Sequence, residues 1–285
     1  MPDVLYINGR FTTTDERVLG VEDRGFLFGD AVYEVFKFLR KTPIFLAGHW
    51  RRLERGLRAI EIPLPWDESS FASTMRDLLE RTACDDGIVY IEVSRGEAAR
   101  THFYSDDMKP TAIAYSRRYT FPDAAKKARG IRMITQRDVR WRHCDVKSVN
   151  LLPNAMAKKA AQRAGVDEAL LVDDGLVREG ASSNLFAVLD GRVVTHPLDE
   201  HILPGVTRDH AIALARGRGI PVDERVIAVN ELHSASEIFV TATTLGVMPV
   251  VQIDGRACGG GTRGPLTTDL QRALDDAESR EVAGG

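Results

Sequence analysis

The chain has 285 residues, which is enough for one large domain or two ordinary ones. Its formal net charge is −3 and charges of both signs occur along its length, so it lacks the basic excess of a nucleic-acid-binding surface. No apolar run is long enough to cross a bilayer, and the start, Met1 to Val4, lacks the basic-then-apolar order of a signal peptide. The three cysteines, Cys84, Cys144 and Cys258, are far apart and in no metal-binding spacing, so a reducing cytoplasm is expected.

The N-terminal residues predict paired strands. Val4–Ile7 is rich in strand-forming residues, and Asn8-Gly9 is a hairpin-turn sequence. After a turn framed by glycines, residues 32–38 alternate with a period of two, so Tyr33 faces away from Val32 and Glu34. Tyr33 therefore lies near the start of a strand, and its side chain is either a buried core tyrosine or part of a functional site.

Two amphipathic helices are predicted next. His49–Ile60 has an apolar stripe at helical spacing, and Arg52 adjoins it. Arginine is suited to bidentate recognition of phosphate, although a solvated arginine fits the same pattern. A second helix is predicted over residues 67–81, with Asp67 as its N-cap. Its predicted core positions are Phe71, Met75, Leu78 and Leu79.

A polar loop follows the predicted strand at residues 88–96. In extended chain, residues two apart share a side, so Arg100 and His102 project together. An arginine beside an imidazole offers donors to both oxygens of a carboxylate, whereas the alternative is a solvated loop. After a strand at residues 111–115, residues 120–128 read as a linker, and a domain boundary is predicted near residue 120.

Lys147 is the most informative residue of the second half. It lies between Val146 and Ser148-Val149 and precedes an alanine-rich helical pattern at residues 154–164. The flanking valines draw its stem inward, and a lysine held in a partly dry pocket is a usable amine nucleophile of the Schiff-base kind. The alternative is a lysine whose ammonium reaches solvent at the end of a strand.

Three further segments carry polar groups. Glu179 lies in a loop rich in small residues and hydroxyls, which fits a ligand-binding loop or an ordinary hairpin. Gly205-Val206-Thr207 begins a predicted helix, and the unpaired amides and positive dipole end of a helix N-terminus favour binding of an anion. The alternative is an ordinary helix capped by threonine. Thr243 belongs to a run of hydroxyls that ends a strand predicted from residue 237.

An amine, a carboxylate, an arginine, a helix N-terminus and a threonine cluster are together the parts that hold pyridoxal 5′-phosphate. On four motifs in this order, the sequence resembles the fold-type IV pyridoxal-phosphate enzymes. The motifs are His49-x-x-Arg52-Leu53, Asp145-Val146-Lys147-Ser148-x-Asn150, Glu179-Gly180-x-Ser182-Ser183-Asn184 and Leu203-x-Gly205-Val206-Thr207-Arg208. Within that family, Tyr33 together with Arg100-Thr101-His102 resembles the carboxylate-binding residues of the bacterial D-amino-acid aminotransferases.

The resemblance implies a two-domain α/β (α+β mixed) fold, with a smaller N-terminal domain at residues 1–120 and a larger, β-rich, cofactor-binding domain at 121–285. It implies ping-pong transamination between a D-amino acid and a 2-oxo acid through a Schiff base on Lys147, in a homodimer. D-alanine and D-glutamate with their 2-oxo acids are the expected substrates. It also implies that the cofactor contacts Arg52, Glu179, Leu203, Val206, Thr207 and Thr243, and that the substrate carboxylate contacts Tyr33, Arg100 and His102.

Other reactions of the same fold remain open. A branched-chain L-aminotransferase, an R-selective amine transaminase and an aminodeoxychorismate lyase use the same cofactor, and Pro204 before Gly205 resembles the branched-chain enzymes. Ala181 stands where relatives often carry a hydroxyl. A binding or scaffold protein that keeps the fold without the cofactor is the alternative from another functional class.

Overall fold

The computed structural model describes residues 4–284. Residues 1–3, on which the signal-peptide expectation falls, and residue 285 lie outside the described part. The described chain divides into two compact units, one made of residues 4–120, 146–150 and 278–284, the other of 121–145 and 151–277. The domains predicted at 1–120 and 121–285 stay a prediction, and the units differ from them at both short segments of the first unit.

The described part of the first unit combines one sheet with three helices. The strands are β1 (Val4–Ile7), β2 (Arg10–Thr13), β3 (Ala31–Leu39), β4 (Thr42–Pro43), β5 (Gly87–Ser94) and β6 (Thr111–Arg118), and the helices are α1 (Arg24–Phe28), α2 (Leu46–Ala59) and α3 (Glu68–Arg81). The strands form an antiparallel sheet in the order β2-β1-β6-β5-β3-β4. The predicted hairpin, both helices and the Asp67 N-cap are confirmed.

The core of the first unit lies on the sheet face that α2 and α3 cover. Leu53 and Leu57 of α2 and the four predicted positions of α3 are buried in it. The alternation predicted for β3 is also confirmed, because Glu34 has no exposed surface whereas Tyr33 is half-buried. Tyr33 therefore lies on the sheet face opposite this core.

The second unit also combines helices with a sheet. Its helices are α4 (Ala124–Arg129), α5 (Leu152–Arg163), α6 (Val206–Gly217) and most of α7 (Pro265–Gly284), with 3₁₀ turns at Val229–His233 and Gly259–Gly261. Its strands are β7 (Ile131–Arg137), β8 (Glu168–Asp173), β9 (Leu176–Gly180), β10 (Asn184–Leu189), β11 (Arg192–Thr195), β12 (Val222–Glu224), β13 (Ile227–Ala228), β14 (Glu237–Ala242), β15 (Gly246–Ile253) and β16 (Arg256–Ala257).

The sheet of the second unit is mixed. Its order is β12-β11-β10-β14-β15-β7-β8-β9-β13, with β16 paired to β15. The pairs β7–β8, β7–β15 and β11–β12 are parallel, and the other pairs are antiparallel. Helices and sheets therefore occur in both units, which confirms the mixed α/β class.

Two local predictions were wrong. The segment predicted as a linker at residues 120–128 contains α4, because the Asp123 side chain caps the alanine-rich turn by accepting from the Lys126 amide. Of the segment predicted as a loop at residues 177–184, the half that contains Glu179 belongs to strand β9, which pairs with β8, and only residues 181–183 lie between strands. Within residues 4–284, no helix has the length and hydropathy needed to cross a membrane.

Candidate active site

The lysine segment is attached to the edge of β3 in the first unit. The Tyr33 amide donates to the Lys147 carbonyl at 2.9 Å, and the Val149 amide donates to the Ala31 carbonyl at 3.2 Å. Val146 is buried in the core of this unit. The valine before the lysine therefore anchors the segment, as its sequence context predicted, and the backbone bonds hold Lys147 beside Tyr33.

The side chains of Lys147 and Tyr33 are in contact. Lys147 is half-buried, and its Nζ lies 4.3 Å from the centroid of the Tyr33 ring. This is a cation–π arrangement, in which the face of the ring attracts the ammonium. An amine held in this way remains available to a ligand, and the neighbouring hydroxyl of Tyr33 is a second polar group of the same site.

Arg52 reaches the interior of the first unit from α2, where it meets Glu34. Its Nε and Nη2 atoms lie 2.9 and 2.6 Å from the two carboxylate oxygens of Glu34, and His49 Nδ1 lies 3.2 Å from Glu34 Oε1. Burial acts to raise the pKa of Glu34, but Arg52 and His49 outweigh it and hold that pKa well below its usual range. Burial, opposed by Glu34, lowers the pKa of His49. The arginine is thus fixed by a carboxylate, and its predicted contact with phosphate stays a prediction.

Arg100 and His102 are exposed on the loop between β5 and β6. Both pack on one ring, since the Arg100 guanidinium carbon lies 5.5 Å from the centroid of Phe28 and the His102 ring centroid lies 5.8 Å from it. The two donors of the predicted carboxylate clamp therefore share a single apolar support. No pattern in the sequence indicated that Phe28 would supply it.

Glu179 is the centre of a buried polar cluster in the second unit. Its carboxylate lies 2.5 Å from Arg140 Nη1 and accepts from the Leu203 amide at 3.1 and 3.2 Å and from Asn184 Nδ2 at 2.9 Å. Burial raises the pKa of Glu179 to about 7, although Arg140 and the Leu203 amide oppose the rise. Arg140 is in turn held by Asp138, whose Oδ2 lies 2.8 Å from Nη2.

The N-terminus of α6 begins at Gly205, which has no side chain to cap it. Gly205 is the N-cap, and its carbonyl accepts from the Asp209 amide at 3.0 Å, one turn into the helix. Val206 and Thr207 are buried at this end. A Cβ at position 205 would lie 2.1 Å from Asn184 Oδ1, so a larger residue there would displace Asn184 or the start of the helix. The amides of the first turn, a hydroxyl and the positive dipole end suit a dianion.

Thr243 lies half-buried in the turn between β14 and β15. Two residues earlier, Thr241 is buried, and within the described chain its Oγ1 has no hydrogen-bond partner. Thr241 is paired in the sheet with Asn184, which contacts both Glu179 and the Leu203 carbonyl. A buried hydroxyl without a partner is the kind of group that a ligand oxygen satisfies.

Each unit thus contains groups that fit a particular part of pyridoxal 5′-phosphate. The first has an amine held on an aromatic ring, and the second has a buried carboxylate and a helix end of the kind that binds phosphate. Glu34 and Arg140 were missed as members of these clusters. The signal for Glu34 was present, because a glutamate on the apolar face of a strand requires a partner; nothing in the spacing of Arg140 indicated Glu179.

Comparison with known proteins identifies the family. Residues 31–253 match the family model described as amino-transferase class IV. The chain belongs to this family. It is therefore an aminotransferase that depends on pyridoxal phosphate, as the motifs predicted.

Relatives match along nearly the whole chain. The chain is 39% identical to the D-alanine aminotransferase of Bacillus licheniformis over 97% of both sequences. The T.th. branched-chain amino acid aminotransferase, solved with pyridoxamine 5′-phosphate, is 25% identical with a TM-score of 0.90, covering 98% of this chain and 95% of that one. The 4-amino-4-deoxychorismate lyase of Pseudomonas aeruginosa is 28% identical with a TM-score of 0.85, covering 95% and 98%. The backbone is thus shared by enzymes of different reactions.

Proposed function

We propose that this aminotransferase moves the amino group of a D-amino acid to a 2-oxo acid by a ping-pong reaction, typified by D-alanine and 2-oxoglutarate giving pyruvate and D-glutamate. The observation that carries the choice of substrate is the similarity to D-alanine aminotransferases, which exceeds the similarity to the branched-chain enzyme and to the lyase. The Arg100–His102 pair supports it, because the two side chains lie together on one support.

Seven residues of this chain would hold the cofactor. Its ring nitrogen would meet Glu179, and its ring would pack on Leu203. Its phosphate would take the helix-end amides of Val206 and Thr207, the hydroxyl of Thr243 and the guanidinium of Arg52, while Lys147 would bond its aldehyde carbon. When bound, pyridoxal phosphate supplies an aldehyde that takes the amino group and a protonated ring that accepts the electrons of the broken Cα–H bond.

Once the substrate amine has displaced it from the cofactor, Lys147 would act as the acid and base of the reaction. Its Nζ would take the Cα proton of the substrate and pass it to the cofactor in the first half of the cycle, and the reverse transfer would complete the second half. The backbone bonds to Tyr33 and Ala31 fix the direction from which this amine approaches. Because one amine works from one side, only the enantiomer that presents its hydrogen to that side reacts.

The position of the carboxylate clamp therefore selects the enantiomer. Tyr33, Arg100 and His102 would bind the α-carboxylate and so decide which hydrogen points towards Lys147. The two loop residues are exposed in the single chain, and we propose a homodimer in which each loop completes the site of its partner. A cytoplasmic location, expected from the unpaired cysteines, belongs to the same proposal.

A panel of D- and L-amino acids with 2-oxoglutarate or pyruvate as acceptor tests the substrate assignment. We expect consumption of D-alanine and D-glutamate and formation of the matching D-product. Consumption of L-leucine, L-isoleucine or L-valine alone would instead support the branched-chain reaction. Release of pyruvate from aminodeoxychorismate without any amino acceptor would support the lyase.

Two variants test the residue roles in the same assay. Lys147→Ala should abolish turnover, and unchanged turnover would contradict the assignment of the amine. Arg100→Ala should raise the KM of D-alanine by about tenfold or more, because a charged hydrogen bond to the carboxylate is lost, while leaving the affinity for the cofactor unchanged. An unchanged KM would contradict the carboxylate clamp.

A further inference from the structure

The loop that carries Arg100 and His102 has to be held by other residues. Both side chains are exposed, and both pack on the ring of Phe28. Exposed side chains keep a fixed direction only when the backbone beneath them is fixed. The contacts of the backbone at residues 100–103 therefore decide where the clamp lies.

One buried side chain bonds this backbone. Arg24, at the start of α1, is 4% exposed, and its Nη1 donates to the Thr101 carbonyl at 2.7 Å and to the Phe103 carbonyl at 3.5 Å. Thr101 lies between the two clamp residues, so the bond holds the turn that gives both their direction. The Arg24 amide also donates to the Gly96 carbonyl, at 2.9 Å, where the loop begins.

Arg24 also supports the ring on which the clamp packs. Phe28 lies one helical turn after Arg24, and the Arg24 guanidinium carbon is 4.6 Å from the Phe28 centroid. The same ring contacts Arg100 and His102. Arg24 thus contacts the clamp in two ways, through the carbonyl of Thr101 and through the ring of Phe28.

The other end of Arg24 is fixed to a rigid anchor. Its Nε donates to Asp30 Oδ2 at 2.9 Å, and Arg95 donates to the same carboxylate at 2.8 and 3.1 Å. Arg95 also bonds the carbonyls of Ile60 and Glu61, at 2.6 and 2.8 Å, where α2 ends. Asp30 is therefore tied to the core of the first unit, and Arg24 connects this anchor to the clamp loop.

We propose that Arg24 is the positioning residue of the substrate-carboxylate clamp. This inference rests on the proposed function of Arg100 and His102. Arg24 does not touch the substrate; it fixes the loop backbone and the Phe28 ring, and thereby the spacing of the two donors. The planar guanidinium is required because it bonds Asp30 through Nε and the loop through Nη1 at once, which the single ammonium of lysine cannot do.

Arg24→Lys tests this role, because it keeps a positive charge beside Asp30 and loses the second bond. We expect the KM of D-alanine and of 2-oxoglutarate to rise about tenfold, with kcat changed less than about threefold, since a shifted clamp mainly weakens the hold on the carboxylate. The affinity for pyridoxal phosphate should not change. Phe28→Leu is the second variant, and it should raise the same KM values without altering the Asp30 anchor.

Arg81→Lys is the matched control. Arg81 belongs to the same unit and packs on a phenylalanine, Phe11, at the same 4.6 Å, but it lies on α3 and not beside the clamp loop. We expect its KM values to equal those of the unchanged protein. An equal rise in this control would show that any stacked arginine has the effect, and would overturn the proposal.

A double-mutant cycle with Arg100→Ala separates positioning from a general structural effect. If Arg24 acts through the clamp, Arg24→Lys raises KM in the parent, and it raises KM by a smaller factor once Arg100 is absent, because only His102 is then left to be displaced. A full additional rise in the Arg100→Ala background, or no rise in the parent, overturns the proposal. If Arg100→Ala alone leaves KM unchanged, the proposed carboxylate clamp is wrong and the inference about Arg24 fails with it. If Arg100→Ala raises KM but Arg24→Lys does not, the clamp stands and only the role of Arg24 is overturned.

Discussion

Glu34 is a carboxylate without exposed surface, and its charge is stable there only because Arg52 and His49 surround it. Removing a charge from water costs several kcal/mol unless close partners compensate. The partners also fix Arg52, which is one of the proposed ligands of the cofactor phosphate. A single glutamate on the inner face of β3 therefore orders a functional arginine on α2.

Glu34→Gln should destabilise the protein strongly. The change leaves the buried guanidinium of Arg52 without this counter-charge, and breaking a buried pair costs about 3–5 kcal/mol of unfolding free energy. Urea denaturation measures the loss. Glu54→Gln, which breaks the exposed pair with Arg58, is the control and should change the unfolding free energy by less than about 1 kcal/mol. Equal effects would contradict the importance of burial.

The same pair predicts a loss of stability in acid. The pKa of Glu34 is lower in the folded chain than in the unfolded one, so the stabilisation is complete above the unfolded value, near 4.5, and declines as the pH falls below it. Unfolding free energies between about pH 3 and 6 should therefore fall less steeply in Glu34→Gln than in the parent. If the unfolding free energies of the variant and the parent fell equally with pH, the lowered pKa of Glu34 would be contradicted.

The pKa of Glu179 is shifted in the opposite direction, so its effect on stability has the opposite dependence on pH. Its pKa is raised from 4.5 to about 7, mainly by burial, so the folded chain binds this proton more tightly than the unfolded chain. Its contribution to stability is therefore complete below pH 4.5 and is lost as the pH rises from 4.5 through 7. In the cofactor-free protein, Glu179→Gln should flatten the decline of the unfolding free energy between about pH 5 and 8. An unchanged slope would show that Arg140 already keeps the carboxylate ionised.

At the scale of elements, the functional groups lie where helices and strands end. The first amides of α6 face no capping side chain, because Gly205 precedes the helix. The Glu179 carboxylate comes from the end of β9 and meets the Leu203 amide just before the same helix. Helix ends leave backbone donors without helical partners, and such donors suit an anion.

Gly205→Ala tests the helix end. The added methyl would lie 2.1 Å from Asn184 Oδ1, so Asn184 or the helix start has to shift. We expect the dissociation constant of pyridoxal phosphate, measured by absorbance titration, to rise about tenfold, because the phosphate donors move with the helix start. Gly217→Ala is the matched control in the same helix, with no atom within 4 Å of the added methyl. It should leave cofactor affinity unchanged and stabilise the protein by about 0.5–1 kcal/mol. Equal affinities in both variants would contradict the proposal that the start of α6 binds the cofactor phosphate.

At the scale of the whole molecule, the exposed clamp loop favours a site shared by two copies. The single chain presents Arg100 and His102 to solvent, while Phe103 beside them and Phe26 on α1 are 85% and 74% exposed. Two exposed aromatic side chains close in sequence to the clamp residues and to Phe28 fit the proposed dimer interface. A homodimer would cover them and bring the clamp of each copy to the other.

Mixing two impaired variants tests the shared site. The assay is run at D-alanine concentrations well below the parent KM, where Lys147→Ala should have no activity and Arg100→Ala about a tenth of the parent activity or less. Lys147→Ala lacks the amine and Arg100→Ala lacks the clamp, but a dimer with one copy of each contains one complete site if the clamp acts on the partner. Random exchange should then restore about a quarter of the parent activity, because half of the dimers are mixed and one of their two sites is complete. No recovery after verified exchange would show that the clamp serves its own chain.

The sequence by itself determined the local structure and the chemistry. Periodicity predicted α2, α3 and β3, because amphipathic patterns repeat with the period of the element that they form, and the Asn8-Gly9 turn predicted the hairpin. The four motifs indicated the family and the cofactor, since a few polar residues at fixed order are specific even without coordinates. The short helix α4 was not predicted, because six residues carry too little periodicity for a helix to be recognised.

The tertiary structure decided which residues act together. Residues 146–150 lie between the two segments of the second unit in sequence but belong to the first unit, because their backbone pairs with β3. The partners Arg52–Glu34, Arg140–Glu179 and Arg24–Thr101 are 18, 39 and 77 residues apart. Such pairs have no period or spacing in the sequence, and only the burial that accompanies folding makes each buried charge require its polar partner.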